Sequence, residues 1–523
     1  MRCTIFNYIK SLLSRQKKER KQLLIETTSY QNKNKVEIFN SRSSVLNNSD
    51  KVVSSSKKKY KSKSSSKSQS TQSHILHKQF TVDANKYDIT VKNFPSNAIT
   101  VVNKLQRAGY EAYLVGGCIR DLLLGQKAKD VDIATSARPE EIQKIFGRQC
   151  RLIGRRFRLA HIMFGRGELY EVATFRADHA ENASEKIYKT SESGLVLRDN
   201  VYGTLREDAE RRDFSVNALY YDIKNQVIFD FFHGIEDLKA GRLRLIGEPK
   251  VRYQEDPVRM LRAIRFMAKL DMFLDKASDE PIKSMAPLLQ SIPAARLFEE
   301  SLKLLQSGYG LKTYELLRQY GLFEQLFPTL AVHFTEKQDS NAERMIVKAL
   351  NSTDDRIRDN LRINPAFLFA ALFWYPLREK IDQLKNEGGL NTHDAMLLAA
   401  NEILSEACRR VALHRRHTAV IRDIWALQFQ FPKRSGKRPQ QTLEHIKFRA
   451  GFDLLVMRAE LEGGDLVELS AWWHEYQLSN ESQRSTMMNG VKTLHSHTDD
   501  EPKKKRKPRR RFYRKKKVKK VEA

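Results

Sequence analysis

The spacing of apolar residues divides the chain into a part with mixed strand and helix patterns and a longer part that is almost wholly helical. Before residue 205, several short runs alternate between apolar and polar positions, which is typical of strands. From residue 205 onward the apolar residues recur at helical spacing, with one short strand-like run over 226–232, and residues 253–480 keep the helical pattern. We therefore predict an α+β domain with a mixed sheet, followed by helical domains.

Turn and cap residues give the limits of the elements in the first part. Ser96 is placed to cap a helix that ends before Gly109. Two strands are predicted over 150–164 and 168–175, joined by a glycine-rich turn. Residues 177–205 are polar and without period, so we predict a long loop beside the functional site.

Basic charge is concentrated at the two ends of the chain. The net charge is +30, of which residues 1–80 carry +14 and residues 503–523 carry +13, so residues 81–502 are left with +3. Both ends are too polar to bury a core, and we predict that they are disordered. Basic ends of this kind bind polyanions, which are nucleic acid or an anionic membrane surface.

One segment of the N-terminal extension differs from the rest. Thr4–Leu13 has apolar residues at helical spacing and is followed by five Lys and Arg residues. It is compatible with a transient helix in a disordered arm, or with an interfacial helix that makes a peripheral membrane contact. We expect no membrane span, since no apolar run approaches about 18 residues. Four scattered cysteines indicate free thiols in the cytoplasm.

The first candidate chemistry lies in YLVGGCIRDLLLGQKAKDVDI, at 113–133. It predicts a strand, a Gly-Gly turn, a short helix, and a second strand that carries Asp130 and Asp132. Because side chains two apart in a strand point to the same face, the two carboxylates are predicted to project together. Adjacent carboxylates repel unless a cation lies between them, and an oxygen-only site suits Mg²⁺ with nucleotide phosphates. A solvated turn is the alternative for an isolated Asp-x-Asp.

The turn before this pair is suited to an anion. Gly116 and Gly117 let a backbone come close to a phosphate, and Arg120 follows one turn into the helix. Together with the two carboxylates, this arrangement predicts a site for nucleotidyl transfer.

Glu171 is the candidate for a third acid. In the predicted strand it alternates onto one face with Leu169, Ala173 and Phe175, and a carboxylate among apolar neighbours needs a partner. That partner is either an arginine on the facing strand or a metal ion shared with the two aspartates. We favour the metal ion.

Two motifs with arginine follow the strands. In RRDFSVNA, Arg212 and Asn217 interrupt an apolar stretch, and they are equally compatible with a structural role in holding Asp213. In EDPVRMLRAIRF, Asp256 and Arg259 lie one helical turn apart, and we predict an ion pair that fixes the guanidinium plane. An ordinary surface salt bridge is the alternative.

These motifs resemble those of the polymerase-β-like nucleotidyltransferases, in the branch that contains CCA-adding enzymes and bacterial poly(A) polymerases. The stretch LIGRRFRLAHI, at 152–162, is similar to the version found in the bacterial poly(A) polymerase I group. The resemblance extends from about Asp83 to Trp473.

The resemblance implies roles for the motif residues. The family's three acids bind two Mg²⁺ ions, which implies a catalytic and metal-binding role for Asp130, Asp132 and Glu171. Asp256 and Arg259 would read the base of ATP, and the other residues would face its phosphates. The implied ATP-binding residues are Gly116, Gly117, Arg120, Arg212, Asp256, Arg259 and Arg262.

Further basic residues are predicted to contact RNA. The strand predicted over 152–162 would present Arg156 and Arg158 on one face, where they suit the approach of RNA. A basic turn around Gly436 is either a solvated loop or a contact for the RNA backbone. The predicted RNA-binding residues are Arg155, Arg156, Arg158, Lys433, Arg434, Lys437, Arg438, Arg509, Arg510 and Arg511.

Five regions and one activity follow from these observations. We predict a disordered extension (1–80), a catalytic head (81–205), a neck (206–275), a helical body (276–480), and a linker with a basic tail (481–523). The resemblance implies template-independent transfer of AMP from ATP to RNA 3′ ends with release of pyrophosphate, which promotes RNA decay, with RNA-decay proteins as partners. The alternatives are a CCA-adding tRNA nucleotidyltransferase and a non-catalytic RNA-binding adaptor. The retained acids argue against the adaptor.

Overall fold

The structure is a computed structural model that describes residues 80–496, apart from residue 129 and the segments 155–157, 178–187, 191–195, 200 and 336–338. The predictions for residues 1–79 and 497–523 lie outside the described residues. They include the segment Thr4–Leu13 and the RNA-binding residues Arg509, Arg510 and Arg511. In the part of the chain that is described, no helix is long and apolar enough to cross a membrane.

A mixed sheet of eight strands forms the first part of the fold. Its strand order is β1-β10-β9-β2-β3-β6-β5-β4, and among these strands the β3–β6 pairing alone is parallel. Two small two-stranded pairs, β7–β8 and β11–β12, lie outside it. The strands are β1 (Thr81–Asp83), β2 (Ala112–Val115), β3 (Asp132–Thr135), β4 (Cys150–Ile153), β5 (Leu159–Met163), β6 (Leu169–Thr174), β7 (Tyr188–Thr190), β8 (Val196–Asp199), β9 (Leu219–Asp222), β10 (Val227–Asp230), β11 (Arg242–Leu243) and β12 (Phe273–Leu274).

The two faces of this sheet bury different apolar clusters. All four residues of β2 are buried, which is typical of a strand in the interior of a sheet. Leu114 packs in a large cluster with Ile133 and Val172, whereas Tyr113 and Val115 pack in a smaller cluster. The alternation of side chains along β2 therefore divides the core into two layers.

Helices make up almost all of the remaining chain, and residues on most of them join the large apolar cluster. The helices are α1 (Ser96–Arg107), α2 (Gly117–Leu123), α3 (Pro139–Phe146), α4 (Leu205–Glu210), α5 (Gly234–Lys239), α6 (Pro249–Glu255), α7 (Val258–Leu270), α8 (Lys276–Asp279), α9 (Ile282–Met285), α10 (Ala294–Leu305), α11 (Gly310–Gln319), α12 (Leu322–Leu326), α13 (Pro328–Ala331), α14 (Asn341–Arg358), α15 (Pro365–Leu372), α16 (Trp374–Asn386), α17 (Thr392–Val411), α18 (Arg415–Gln428), α19 (Arg438–Leu443), α20 (Phe448–Glu462), α21 (Asp465–Leu478) and α22 (Glu481–Ser496). The predicted α+β class with a helical remainder is confirmed.

Several element limits differ from the prediction. Ser96 is the first residue of α1 rather than its cap, because Pro95 occupies the cap position. The strand predicted over 150–164 is two antiparallel strands, β4 and β5. The stretch predicted as a loop over 177–205 contains the antiparallel pair β7–β8.

Two further differences concern regions that the periodicity assigned wrongly. Residues 219–222 were predicted to be helical but form β9, which pairs with β2 and β10 inside the large sheet. The sheet therefore continues past residue 205. Residues 481–496 were predicted to be a linker but form helix α22.

Candidate active site

A glycine turn joins strand β2 to helix α2. Gly116 has φ +78° and ψ −125°, a conformation that side chains other than glycine rarely adopt. A Cβ atom at this position would lie 3.4 Å from Nη1 of Arg212 and 3.5 Å from the carbonyl oxygen of Asn217. Gly117 begins the helix, and the first N–H groups of a helix have no acceptor within the helix itself. The turn therefore leaves backbone donors and a guanidinium close together.

Asp132 begins strand β3 and lies beside Glu171 of β6. The parallel register pairs Ile133 with Val172, which places the two acids next to each other at the start of the paired segment. Asp132 is exposed, but partial desolvation raises the pKa of its carboxyl, and the Glu171 carboxylate raises it further. Asp130 has the same effect to a smaller degree, while the Arg212 guanidinium opposes it.

Asp130 does not lie in the strand as predicted. It is in a bend two residues before Asp132, because β3 begins at Asp132 itself. The packing predicted for the intervening residues is confirmed, since Val131 and Ile133 are both buried. Asp130 remains close enough to act on the pKa of Asp132.

Glu171 lies on the solvent face of its strand. Leu169 and Glu171 are exposed and the intervening Tyr170 is buried, so the prediction of a core-like face is wrong. Its neighbour on the facing strand β5 is a histidine rather than the arginine considered above. His161 is opposite Glu171 in the register, with Nε2 lying 3.3 Å from Oε1.

The three acids form an oxygen-only set, in which repulsion between the carboxylates contributes to the raised pKa of Asp132. This chemistry fits a hard cation such as Mg²⁺. Within the described residues, no three His, Cys, Asp or Glu side chains stand close enough to hold a metal ion in the present arrangement.

Arg212 lies beside the glycine turn. Its Nε donates to the hydroxyl of Tyr220 at 2.7 Å, and its Nη2 donates to Oδ2 of Asp208 at 3.3 Å. Tyr220 donates to the same Asp208 oxygen at 2.6 Å. Burial alone would lower the pKa of Arg212, but Tyr220 and Asp208 raise it. These two partners were missed by the sequence reasoning, since neither belongs to a motif.

Arg120 was predicted to position phosphates, but its guanidinium is engaged inside the protein. It is 4% exposed, donates from Nη1 to Oδ1 of Asn217 at 2.6 Å, and bonds Asp121 from Nε at 2.8 Å. Asn217 in turn donates to Asp213 at 3.0 Å. Arg120 therefore fastens helix α2 to the RRDFSVNA segment.

Arg262 was predicted to face phosphates, and the structure pairs it with Asp213. Its Nε and Nη2 lie 2.7 and 2.5 Å from Oδ2 of that acid. Burial would raise the pKa of Asp213, but Arg262 and the hydrogen bonds from Asn217 and Phe214 lower it well below its usual range. The structural role considered for Asn217 is thus confirmed.

The ion pair predicted between Asp256 and Arg259 is replaced by other partners. Asp256 forms a bidentate ion pair with Arg296 of α10, at 2.8 and 2.7 Å. Arg259 donates from Nη1 to Glu255 at 2.8 Å and to the carbonyl oxygen of Arg252 at 2.6 Å. Arg296 lies outside the motif, so spacing within the motif could not reveal it, whereas Glu255 is four residues before Arg259 in the same motif.

The predicted RNA-binding residues are dispersed. Arg158 is exposed and pairs with Glu140 of α3, and it lies between β4 and β5 rather than in a strand. Arg155 and Arg156 lie outside the described residues. In the turn around Gly436, Lys433, Lys437 and Arg438 are exposed, and Arg434 lies over the ring of Trp472 at 5.7 Å.

Three family models match successive parts of the chain. The model described as "Poly A polymerase head domain" matches residues 112–244. The model described as "Probable RNA and SrmB- binding site of polymerase A" matches residues 271–334, and "Polymerase A arginine-rich C-terminus" matches residues 388–511. The first range contains the glycine turn, the three acids and Arg212.

Known proteins are similar to the chain over most of its length. It is 67% identical over 414 residues to poly(A) polymerase I of Haemophilus influenzae, which covers 79% of this chain and 91% of that protein. It is 32% identical over 287 residues to a CCA-adding enzyme of Lactobacillus helveticus, which covers 53% and 67% respectively. A solved CCA-adding enzyme in an apo form has a TM-score of 0.50 at 20% identity, covering 82% of this chain and 89% of that chain, and thus shares its fold.

Proposed function

Because the chain belongs to the bacterial poly(A) polymerase I family, we propose that it transfers AMP from ATP to the 3′ ends of RNA without a template and releases pyrophosphate. The observation that carries this proposal is the 67% identity to poly(A) polymerase I over 79% of the chain. The identity to a CCA-adding enzyme is 32% over 53% of the chain, which makes tRNA repair the second candidate.

In this proposal Asp130, Asp132 and Glu171 would hold Mg²⁺. When bound, the ions would lower the pKa of the RNA 3′-hydroxyl and stabilise the charge of the leaving pyrophosphate. The adjacency of Asp132 and Glu171 in the parallel register, and the raised pKa of Asp132, support this role.

The glycine turn and Arg212 would bind the triphosphate. The Gly116 turn and the N–H of Gly117 allow close backbone approach to phosphate oxygens, and Arg212 adds a full positive charge. The bonds of Arg212 to Tyr220 and Asp208 hold its guanidinium in place before ATP arrives. Arg120 and Arg262 would act indirectly, by fixing Asn217 and Asp213.

Asp256 and Arg259 would select adenine. A carboxylate accepts a hydrogen bond from the amino group of adenine, and a guanidinium donates to its ring nitrogen. Without a template, the choice of nucleotide depends on protein groups of this kind. Arg296 and Glu255 would keep both side chains oriented toward the base.

Proposed partners are RNA 3′ ends and, for residues 271–334, a protein such as the SrmB of the family description. The exposed basic residues around Gly436 would contact the RNA backbone. The three cysteines of the described part are free thiols, which suits the reducing cytoplasm that we propose as the location.

Nucleotide choice on a non-tRNA acceptor tests the function. Purified protein is incubated with an unstructured oligoribonucleotide, Mg²⁺ and each nucleoside triphosphate separately. We expect long extension with ATP alone. A parallel reaction with tRNA that lacks its CCA end and with CTP alone tests the second candidate. Extension of that tRNA by two residues, with none on the oligonucleotide, would contradict the proposal.

A further inference from the structure

Three guanidinium groups surround one phenyl ring on helix α7. The guanidinium carbons of Arg120, Arg262 and Arg265 lie 5.3, 5.5 and 5.1 Å from the centroid of Phe266. Each contact is a favourable cation–π interaction, but three like charges around one ring also repel one another. The arrangement therefore requires negative charge close by.

Two of the three cations have a carboxylate partner within the described residues, and the third does not. Arg120 pairs with Asp121, and Arg262 pairs with Asp213. The Nε of Arg265 is buried, and no described residue accepts a hydrogen bond from it. Burial and the charges of Arg262 and Arg120 lower the pKa of Arg265, against the opposing effects of Glu300 and Asp213.

Lys269 extends this cluster one helical turn further along α7. Its side chain is exposed, and Nζ lies 4.0 Å from Oδ2 of Asp121. Partial desolvation lowers the pKa of Lys269, and Arg120 and Arg265 act in the same direction, while Asp121 and Asp130 act in the opposite direction. Lys269 therefore lies beside Asp121, which follows Arg120 in helix α2.

An unpaired guanidinium among like charges is costly as a purely structural element. A buried donor without an acceptor loses the free energy of its hydrogen bond with water, and charge repulsion adds to that loss. A bound anion removes both costs, and the guanidinium fork matches the geometry of phosphate oxygens.

We propose that Arg265 and Lys269 bind backbone phosphates of the acceptor RNA next to its 3′ end. This inference rests on the proposed function and adds a subsite to it. The triphosphate of ATP has its own cation in Arg212 at the glycine turn, whereas Lys269 lies beside Asp121 and Arg265 lies against the ring of Phe266, which Arg120 also contacts. The 3′-hydroxyl must approach the acids from a phosphate-bearing chain, and this cluster is where that chain would be held.

Steady-state kinetics of Arg265→Ala and Lys269→Ala test the subsite. We expect the KM for an oligoadenylate acceptor to rise about tenfold for Arg265→Ala, as for loss of a charge-assisted hydrogen bond, and less for Lys269→Ala, with the KM for ATP unchanged. Each variant should lower the salt slope of RNA affinity by about 0.7. Lys276→Ala, which removes an exposed cation of α8, is the matched control and should change neither constant.

Acceptors with one neutral methylphosphonate linkage identify the phosphate. A neutral linkage at one of the last three positions should weaken wild-type acceptor use as much as Arg265→Ala does, and should add little further loss in the variant. Thermal unfolding of the variants checks that the fold is retained.

Two results would overturn the subsite while leaving the proposed function intact. One is a rise in the KM for ATP alone, which would assign Arg265 to the triphosphate. The other is that the loss of acceptor use caused by Arg265→Ala and the loss caused by a neutral linkage add to each other at every position of the linkage. Failure of the wild-type protein to extend any RNA with ATP would instead contradict the proposed function.

Discussion

Two parts of the candidate site are held in place by different means. We call them the acid side, which contains Asp132 and Glu171, and the base-recognition side, which contains Asp256 and Arg259. Asp132 and Glu171 are placed by strand register, and Gly116 by the geometry of one turn. Asp256 is instead placed by an ion pair with Arg296 of helix α10, and Arg259 by an ion pair with Glu255, four residues before it. Backbone register tolerates little displacement, whereas an ion-paired side chain can be released by one substitution. We therefore expect defects on the acid side to reduce the rate and defects on the other side to change selectivity.

The largest effect is expected at the acid side. Asp132→Ala should lower the rate of AMP addition on the order of 10⁴-fold, because a proposed ligand of the Mg²⁺ ions that act on the reacting atoms is lost. The midpoint of thermal unfolding should not fall, since Asp132 is exposed. Asp130→Ala should behave similarly. A folded Asp132→Ala variant with near-normal rates would contradict the assignment of Asp132 to the metal site.

Substitutions of Glu171 and His161 test whether Glu171 binds metal or only contacts His161. Glu171→Gln should reduce the rate about 10²-fold, as expected when one charge-stabilising group is lost. His161→Ala removes its partner across the strands and should reduce the rate much less. Equal, small losses in both variants would mean that the histidine pair is the whole role of Glu171.

Arg296 tests the other side of the comparison. Arg296→Ala should reduce the preference for ATP over CTP about tenfold, because Asp256 loses a bidentate partner. The rate at saturating ATP should change much less. Lys303→Ala, on the same helix α10, is the matched control. Arg259→Ala should also lower the preference, and weaker RNA binding with an unchanged preference in these variants would contradict base recognition by this pair.

The smallest effect is expected from the basic C-terminal tail, which belongs to neither side of the candidate site. Deletion of residues 503–523 removes 14 basic residues and should weaken RNA affinity at low salt and flatten its salt dependence. The rate at saturating RNA should change little, because no proposed catalytic residue lies there. Superimposable plots of affinity against salt for the full-length and truncated proteins would exclude the tail from RNA binding.

The features that the sequence predicted correctly depend on local pattern. Alternation and turn residues identified the strands around the two aspartates, and buried Val131 and Ile133 follow the predicted faces. The sequence analysis correctly placed Glu171 close to Asp132. That prediction came from the motif resemblance, since the residues around Glu171 do not indicate it. Strand β9 carries buried residues on both faces, so its sequence shows no alternation that would distinguish a strand from a helix.

The features that were missed depend on contacts between distant segments. Arg296 lies 40 residues from Asp256, and Tyr220 reaches Arg212 from strand β9. Such partners depend on how helices and strands pack, and no spacing within a motif encodes that packing. Arg120 shows the same limit, since its exposure could not be judged before its partner Asn217 was known.

The position of β9 beside β2 has a consequence for how the head can be divided. A fragment that ended at residue 205 would lack β9 and β10, so β2 would have one unpaired edge. Four buried residues on an open edge form a template for association with another chain. The turn at Gly116 would also lose its anchor, because its N–H bonds the carbonyl oxygen of Leu219. The head is therefore self-sufficient only if it includes the strand that follows the RRDFSVNA segment, and shorter pieces are expected to aggregate.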